Sequence, residues 1–468
     1  MRMDDLDGLR AALPPGAVST HHGELAARAR DRWALALLRE VRGDRVAPPA
    51  AIAWPSDAGQ VAAISAWAEK TGAAVVVRGC GTGRAGGAQA VARSVLVDTT
   101  RMNRVLAVDD VSQVVRAQAG IRCSELEAVL GERGLTLGLA GAARARGTLG
   151  GWIAGAGGVE GVLGLEVVLA GGGTLRLPEG PGPASGPDLR GLMAGSEGLY
   201  GVITEASMAL RRAPGELAWE VFRPHSFDAG LSLAREVAQR PFRALLLRLL
   251  DPSGAGMRFA AFGEGHRPLL LTAFDGGAPG MEAERFELRQ VAKEFGARPL
   301  DRDLAEHWWS HPGDDDDRYE GVMGAERTLG TGVVSDTLVV SSLWRTLPRV
   351  YEDVRGALQD RAETVGALLE RVSTAGGSLA FDFVVRAEDD RRAERAYLEA
   401  WDGAAAVARE RGGTLGGEGV GLASVDRLAA EMGEAGTSAA VRIRRALDPR
   451  GIMNPGKVLP PTGYDGPP

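Results

Sequence analysis

The sequence predicts an α+β fold, and two observations support this class. Glycine-rich segments in the first half alternate with short apolar runs such as 74–77 and 165–169, which have the length of strands. Further strand-length runs follow at 244–250 and 268–274, with a helix expected over 282–295. A chain of 468 residues with 45% hydrophobic content is large enough for two to four packed domains.

The composition excludes several classes of protein. A net charge of −7 argues against a nucleic-acid partner, because phosphate binding needs a basic stripe. The two cysteines, Cys80 and Cys123, are too few for a disulfide framework and indicate reduced thiols. No apolar run approaches the roughly 18 residues of a membrane span, and the first ten residues are acidic where a signal peptide is basic. We therefore expect a soluble, cytoplasmic protein.

Glycine is concentrated in one segment. Residues 79–201 are 123 of the 468 positions, yet they hold 28 of the 66 glycines. A flexible linker could have this composition, but linkers do not alternate with strands. The segment therefore needs bare backbone for a structural or binding purpose.

A helix and a strand precede the first glycine cluster. Asp57 is a typical N-cap, the helix is predicted to run to Lys70, and Gly72 ends it. After a strand over 73–78, Gly81-x-Gly83-x-x-Gly86 matches the dinucleotide-binding fingerprint. However, only the seven residues 88–94 separate the cluster from the next strand, and a crossover helix needs at least about ten. The pattern therefore argues against a Rossmann fold.

The first cluster instead favours a phosphate nest. Five glycines stand within the nine residues 79–87, and successive N–H groups freed from side chains can surround a pyrophosphate. A glycine-rich hairpin is the alternative. Two further segments, 147–158 and 195–201, adjoin strands at 163–169 and from Val202 onward. Three such loops indicate an extended ligand such as a dinucleotide, because one nest suffices for one phosphate.

In this order the three segments resemble the FAD-binding domain of the vanillyl-alcohol oxidase and p-cresol methylhydroxylase superfamily, over about residues 47–211. The resemblance implies a PCMH-type domain of two α+β lobes, in which the first loop wraps the FAD pyrophosphate. The residues it implies for FAD binding are Arg78, Gly79, Cys80, Gly81, Thr82, Gly83, Thr148, Gly150, Gly151, Trp152, Gly155, Glu197, Gly201, Val202 and Ile203. Members that bind FAD covalently through the first loop carry a histidine near Thr82, so its absence here implies noncovalent FAD.

Two other regions indicate which branches of this superfamily the chain resembles. Residues 447–457, which end in Asn454-Pro-Gly-Lys457, are similar to the closing motif of the branch with glycolate oxidase and D-lactate dehydrogenase. Residues 150–153 and 185–188 resemble alkylglycerone-phosphate synthase, which exchanges an acyl for an alkyl chain in ether-lipid synthesis. The chain is thus identified as a member of the FAD-linked oxidases.

From the resemblance we expect four parts: a helical segment at 1–44, the FAD domain at 45–212, a cap or substrate domain at 213–420, and a C-terminal helix and tail at 421–468 that return to the FAD domain. The cap should be α+β with an antiparallel sheet. Its expected strands are 217–223, 244–250, 268–272 and 379–386, covered by helices over 282–295 and 393–411.

The expected catalytic loop departs from its relatives. Residues 412–421 are rich in glycine where the relatives carry histidines, and a histidine is the usual acceptor of a hydroxyl proton. Glu418 is the only titratable side chain in this motif. Burial could make it a base, whereas a solvated glutamate in a glycine turn is the alternative.

Arg248 is the second catalytic candidate, since it resembles an arginine on a strand near the active site of the synthases. A fixed guanidinium can hold a substrate carboxylate or phosphate through two hydrogen bonds. The alternative is a structural ion pair on a strand edge.

No metal site is expected. His307 and His311 have the i,i+4 spacing that places two imidazoles on one helix face. The acidic residues 314–317 that follow favour a helix end running into a solvated loop. Relatives that bind a divalent metal draw further histidines from a strand near 381–386, and this chain has none there.

The function implied is an FAD-dependent oxidoreductase in which the flavin accepts a hydride from a hydroxyl-bearing small molecule, a 2-hydroxy acid or an alcohol. One alternative is an ether-lipid enzyme like alkylglycerone-phosphate synthase. Another is a flavin-binding partner subunit that has lost catalysis. The partners expected are a small-molecule substrate and either a second copy of the chain or a partner subunit.

Overall fold

The structure is a computed structural model that describes residues 3–44, 46–138, 146–155, 159–182, 186–277, 279–311, 313–417 and 419–460. The chain forms two compact units. Unit 1 joins both ends of the chain, Met1–Ala213 and Gly417–Pro468, and unit 2 is the segment Pro214–Gly416 between them. Each unit combines helices with sheets, which confirms the predicted α+β class.

The first sheet of unit 1 has the strand order β1-β2-β4-β3. Its strands are β1 (Val18–Ser19), β2 (Ala51–Ala53), β3 (Val75–Arg78) and β4 (Val95–Asp98), and both β2 and β3 run parallel to β4. Helix Ala58–Thr71 connects β2 to β3. Asp57 accepts the N–H of Gln60 at 2.9 Å, and Gly72 ends the helix with a φ of 72°. The predicted helix and both of its end signals are confirmed.

The second sheet of unit 1 is antiparallel, in the order β5-β6-β10-β8-β9. Its strands are β5 (Val105–Asp109), β6 (Val114–Gln118), β8 (Val162–Leu169), β9 (Thr174–Leu177) and β10 (Gly201–Ala209), while β7 (Leu135–Thr136) pairs with β11 (Arg211–Arg212). Helices Cys123–Gly131 and Val425–Leu447 contribute to the apolar core on this sheet. The remaining α-helices described in unit 1 are Met3–Ala11, His22–Arg28, Ala34–Val41, Leu149–Ala154 and Leu189–Met193.

Unit 2 is built on one antiparallel sheet of eight strands, in the order β15-β12-β14-β13-β17-β18-β16-β19. The strands are β12 (Leu217–Arg223), β13 (Leu246–Leu250), β14 (Leu269–Asp275), β15 (Arg298–Leu300), β16 (Val333–Leu343), β17 (Thr364–Val372), β18 (Gly376–Arg386) and β19 (Thr414–Gly416). The helices described are Phe227–Gln239, Pro252–Phe259, Met281–Glu294, Asp303–Ser310, Asp314–Met323, Leu347–Gln359 and Asp390–Glu410. The predicted antiparallel sheet is confirmed, and it has four more strands than we predicted.

The acidic segment at 314–317 is not the solvated loop that we expected. It forms the first turn of helix Asp314–Met323, where the helix dipole favours negative charge. The His307 Nε2 lies 3.3 Å from an Asp314 carboxylate oxygen, and its ring stacks on that of His311. Within the described ranges, no three or more His, Cys, Asp or Glu side chains are grouped so that they could hold a metal ion.

The helices described in either unit include none with the length and apolar character that crossing a bilayer requires.

Candidate functional site

The first glycine loop follows strand β3 and offers unpaired backbone donors. The N–H groups of residues 79–83 donate to no acceptor in the described part of the chain, and these residues are partly or fully exposed. Gly81 has a φ of 67°, a conformation that glycine adopts without strain. Successive free N–H groups of this kind form a concave site for an anion. The loop therefore fits a phosphate-bearing cofactor.

Arg78 places a positive charge beside this loop. Its guanidinium donates to the carbonyl of Arg30 at 2.7 Å and lies over Gly81, where a Cβ would come within 2.1 Å of it. Burial lowers the pKa of Arg78, whereas the charges of Asp31 and Asp98 raise it. An arginine remains charged under such conditions, so the loop has a fixed cation next to its free N–H groups.

The second glycine segment meets the first. A Cβ on Gly79 would lie 2.2 Å from the Thr148 hydroxyl oxygen, so only glycine allows this contact. Thr148 caps the short helix Leu149–Ala154 by accepting the N–H of Gly151 at 3.2 Å. Gly150 packs against Ala119 in the same way, since its Cβ would lie 2.7 Å from that methyl group. Trp152 is partly buried in this helix, and Gly155 caps its C-terminal end.

The third segment lies against the second. The N–H of Glu197 donates to the carbonyl of Ala154 at 2.9 Å. Gly201 begins strand β10, where a Cβ would lie 2.5 Å from the carbonyl oxygen of Val168, and Val202 and Ile203 continue the strand as buried residues. The three segments that the sequence assigns to one extended ligand are therefore neighbours within unit 1.

The side chain of Glu197 binds backbone on a distant segment. Its carboxylate accepts the N–H groups of Val420 and Gly421, the latter at 3.0 Å. Burial raises the pKa of Glu197 to about 7, although the two backbone N–H groups and the charge of Lys457 lower it.

The C-terminal Asn454-Pro-Gly-Lys457 motif forms hydrogen bonds with the end of the first loop. The ammonium group of Lys457, which is completely buried, donates to the carbonyl of Gly87 at 2.9 Å, to the carbonyl of Gln89, and to the Asn454 side chain at 2.8 Å. The Asn454 amide also donates to the Gly87 carbonyl, at 3.2 Å. Burial lowers the pKa of Lys457 to about 7. The three N–H donors of the ammonium group therefore bind the end of the first loop, at Gly87 and Gln89, and Asn454 of the C-terminal motif.

Asp31 is a site residue that sequence reasoning missed. Its carboxylate accepts the N–H groups of Trp33 at 3.1 Å and of Ala88 at 3.2 Å, and burial raises its pKa. The neighbouring Arg32 N–H donates to the carbonyl of Gly83 at 2.9 Å. No local pattern in the polar stretch around Asp31 indicates these contacts, because the loop lies more than 50 residues further along the chain.

Neither cysteine is poised for reaction. Cys80, in the first loop, is partly buried, and Cys123 is buried. Burial raises the pKa of the Cys80 thiol and raises that of Cys123 to about 12. Both are free thiols rather than thiolates near neutral pH.

Arg248 lies in unit 2 on β13, which is an inner strand between β14 and β17. The strand-edge alternative is therefore wrong. The guanidinium donates to the carbonyl of Leu247 at 3.0 Å and forms no salt bridge with a described residue. Burial lowers the pKa of Arg248, and the charge of Glu370 raises it. Among the described residues, the Leu247 carbonyl is the acceptor of one of its five N–H donors. Glu418, the other catalytic candidate, lies outside the described residues.

Comparisons with known proteins agree with this arrangement. Residues 49–178 match the FAD binding domain, and residues 216–458 match the C-terminal domain of FAD linked oxidases. The alkyldihydroxyacetonephosphate synthase of Trypanosoma brucei brucei is 25% identical over 477 residues, which cover 92% of this chain and 76% of that one. The mitochondrial D-2-hydroxyglutarate dehydrogenase of Bos taurus is 28% identical over 502 residues, covering 98% and 84%.

A solved structure shares the fold. The crystal structure of p-cresol methylhydroxylase with substrate bound has a TM-score of 0.78 at 16% identity, covering 99% of this chain and 98% of that one. The resemblance inferred from the glycine segments and the C-terminal motif is thereby confirmed.

Proposed function

The chain belongs to the FAD-linked oxidases, and on that premise we propose that it oxidises a hydroxyl-bearing small molecule, a 2-hydroxy acid or an alcohol. It is an FAD-dependent oxidoreductase, and bound FAD supplies the acceptor for the hydride that such an oxidation releases. The observation that carries the proposed substrate is the Arg248 guanidinium, which forms no salt bridge with a described residue and donates to the carbonyl of Leu247.

The cofactor would be held by the loops of unit 1. The free N–H groups of residues 79–83, next to the charge of Arg78, suit the diphosphate. We propose that FAD is bound noncovalently, because no histidine stands near Thr82 and because burial keeps the Cys80 thiol protonated. Acid precipitation of the yellow protein should release the flavin into solution, and flavin retained in the pellet would contradict this.

Arg248 would bind and orient an anionic substrate. A guanidinium and a carboxylate can form two parallel hydrogen bonds, which fix the direction of the substrate as well as its position. The partly buried setting strengthens such a pair, because water competes less well for both groups. This favours a 2-hydroxy acid over an uncharged alcohol.

The test is anaerobic bleaching of the bound flavin by a panel of 2-hydroxy acids and alcohols. Replacing Arg248→Met should lower kcat/KM for the active acid by about 100-fold or more, while FAD binding stays unchanged. Arg235→Met is the matched control, since Arg235 is an exposed arginine of the same unit. An oxidised spectrum that no member of the panel changes would overturn the proposed reaction.

Removal of the hydroxyl proton needs an acceptor, and Glu418 is the candidate within residues 412–421. Glu418→Gln should lower kcat by about 10²–10⁴-fold if this residue is the general base. A variant with unchanged turnover would assign the proton to another acceptor, with the proposed oxidation still intact.

A second candidate is the alkylglycerone-phosphate synthase reaction. It is favoured by the similarity to the trypanosomal synthase over 92% of this chain, and opposed by the missing histidines at 412–421. Incubation with acyl-dihydroxyacetone phosphate and a long-chain alcohol should then yield ether product and free fatty acid. Finding neither product would exclude this candidate.

A further inference from the structure

Gly87 of the first loop and Gly419 both lie close to the carboxylate of Glu197. A Cβ on Gly419 would lie 3.0 Å from a Glu197 carboxylate oxygen, and a Cβ on Gly87 would lie 2.5 Å from one. A Cβ on Gly421 would lie 2.1 Å from the carbonyl oxygen of Ala85. Bare backbone is therefore needed here so that two loops can approach one acidic side chain.

The two loops also bond to each other directly. The carbonyl of Ala85 accepts the N–H groups of Leu422 at 2.8 Å and of Ala423 at 3.0 Å. Glu197 adds the N–H groups of Val420 and Gly421, which are more than 220 residues away in sequence. Residues 420–423 are therefore held by consecutive hydrogen bonds: Glu197 accepts the N–H groups of residues 420 and 421, and the Ala85 carbonyl accepts those of residues 422 and 423.

We propose that Glu197 is a positioning residue, whose carboxylate holds residues 420–421 against the first glycine loop and so keeps that loop in the shape that binds FAD. This proposal rests on FAD as the cofactor, and it is independent of the proposed substrate. Removal of the carboxylate leaves the N–H groups of Val420 and Gly421 without their acceptor, so residues 420–421 should separate from the first loop more readily.

The charge state of Glu197 should also affect this contact. The groups that face it are Asp31, whose charge raises its pKa, and Lys457, whose charge lowers it. With burial, these groups bring the pKa of Glu197 to about 7, above the 4.5 of a free glutamate. Opening that exposes the carboxylate therefore releases a proton, so the contact should open more readily at pH 8 than at pH 6.

Hydrogen exchange of the peptide that spans 419–424 tests this without any substrate. Glu197→Ala, which removes the acceptor of both N–H groups, should speed exchange of this peptide by about tenfold or more and weaken FAD binding by a similar factor. Glu205→Ala on strand β10 is the control and should change neither quantity.

Unchanged exchange in Glu197→Ala, or faster exchange with unchanged FAD binding, would overturn the proposal. If Glu197→Ala fails to fold, the unmodified protein supplies the measurement. The ratio of exchange rates between the 419–424 peptide and a β10 peptide over 203–208 should fall from pH 8 to pH 6, because the proton on Glu197 stabilises the closed contact and the chemical dependence of exchange on pH cancels in the ratio. A constant ratio would likewise overturn the proposal.

Discussion

A cluster of buried charges in unit 1 and an ion pair in unit 2 bind different kinds of partner. Beside the first loop of unit 1, Asp31 and Glu197 accept backbone N–H groups, and Lys457 donates to backbone carbonyls. In unit 2, Arg258 and Asp382 instead pair with each other at 2.6 Å. A charged side chain that binds backbone N–H or C=O groups fixes the conformation of the loop that carries those groups. In an ion pair, each charged side chain instead neutralises the charge of the other.

Arg248 follows neither pattern. It lies in the same unit as Arg258, yet it forms no salt bridge with a described residue and binds only the carbonyl of Leu247. A buried charge that no described side chain neutralises is therefore the better candidate for a ligand site.

The largest expected effect is on the paired arginine. Arg258→Met leaves the Asp382 carboxylate without its main partner, so the free energy of unfolding should fall by about 3–5 kcal/mol. Arg248→Met removes no such partner and should change it by less than about 1 kcal/mol. Urea unfolding of both variants measures this. Equal losses would show that Arg248 is as structural as Arg258.

A smaller loss of unfolding free energy is expected for a substitution at Gly421, where two loops of unit 1 lie close together. Gly421→Ala forces a side chain onto a φ of 49° and against the Ala85 carbonyl, which should cost about 2–4 kcal/mol and release FAD. Gly173→Ala is the control, because a Cβ there meets no atom within 4 Å. If the two variants retain FAD equally, close approach at Gly421 does not matter for the cofactor.

The third prediction concerns pH. Glu197 has a pKa raised from 4.5 to about 7, so the native state keeps a proton that the unfolded state loses, and stability should fall from about pH 4.5 to 7. Lys457 has a pKa lowered from 10.5 to about 7, so stability should rise from about pH 7 to 10.5.

Unfolding free energies measured across this range should therefore pass through a minimum near neutral pH, with limbs of a few kcal/mol. Glu197→Gln should flatten the acidic limb, and Lys457→Met should flatten the basic limb. A profile that neither variant alters would show that these two groups do not titrate in the native state as the geometry requires.

The smallest effect is expected at an acid that bonds to backbone near the surface. Asp57→Ala removes the cap of helix Ala58–Thr71 and should lower the free energy of unfolding by about 1 kcal/mol. Asp57→Asn, which keeps an acceptor for the Gln60 N–H, should lower it less. Thermal unfolding of the two variants compares them directly.

Local signals made part of this structure predictable. Asp57 and Gly72 mark the ends of their helix because capping depends on neighbouring residues. The glycine clusters indicated that three loops serve one ligand, since bare backbone is rare without a purpose. The Asn454-Pro-Gly-Lys457 motif indicated the family from its sequence alone.

Contacts between distant residues were not predictable. Asp31 binds a loop 57 residues away, and Arg258 pairs with Asp382 across 124 residues, without any spacing that indicates either. The glycines at 419 and 421 were interpreted through the histidines that they replace. The structure shows that they also allow close approach to Glu197, a reason that depends on the tertiary fold.

The position of Lys457 has a consequence for synthesis in the cell. Its partner Gly87 leaves the ribosome 370 residues earlier, which corresponds to about 20–70 s of translation at 5–20 residues per second. Until then the whole of unit 2 is made, and the carbonyls of Gly87 and Gln89 lack this ammonium donor. We therefore expect the first loop to reach its final shape late in synthesis, and a chain that stalls within unit 2 to bind FAD less tightly than the complete one.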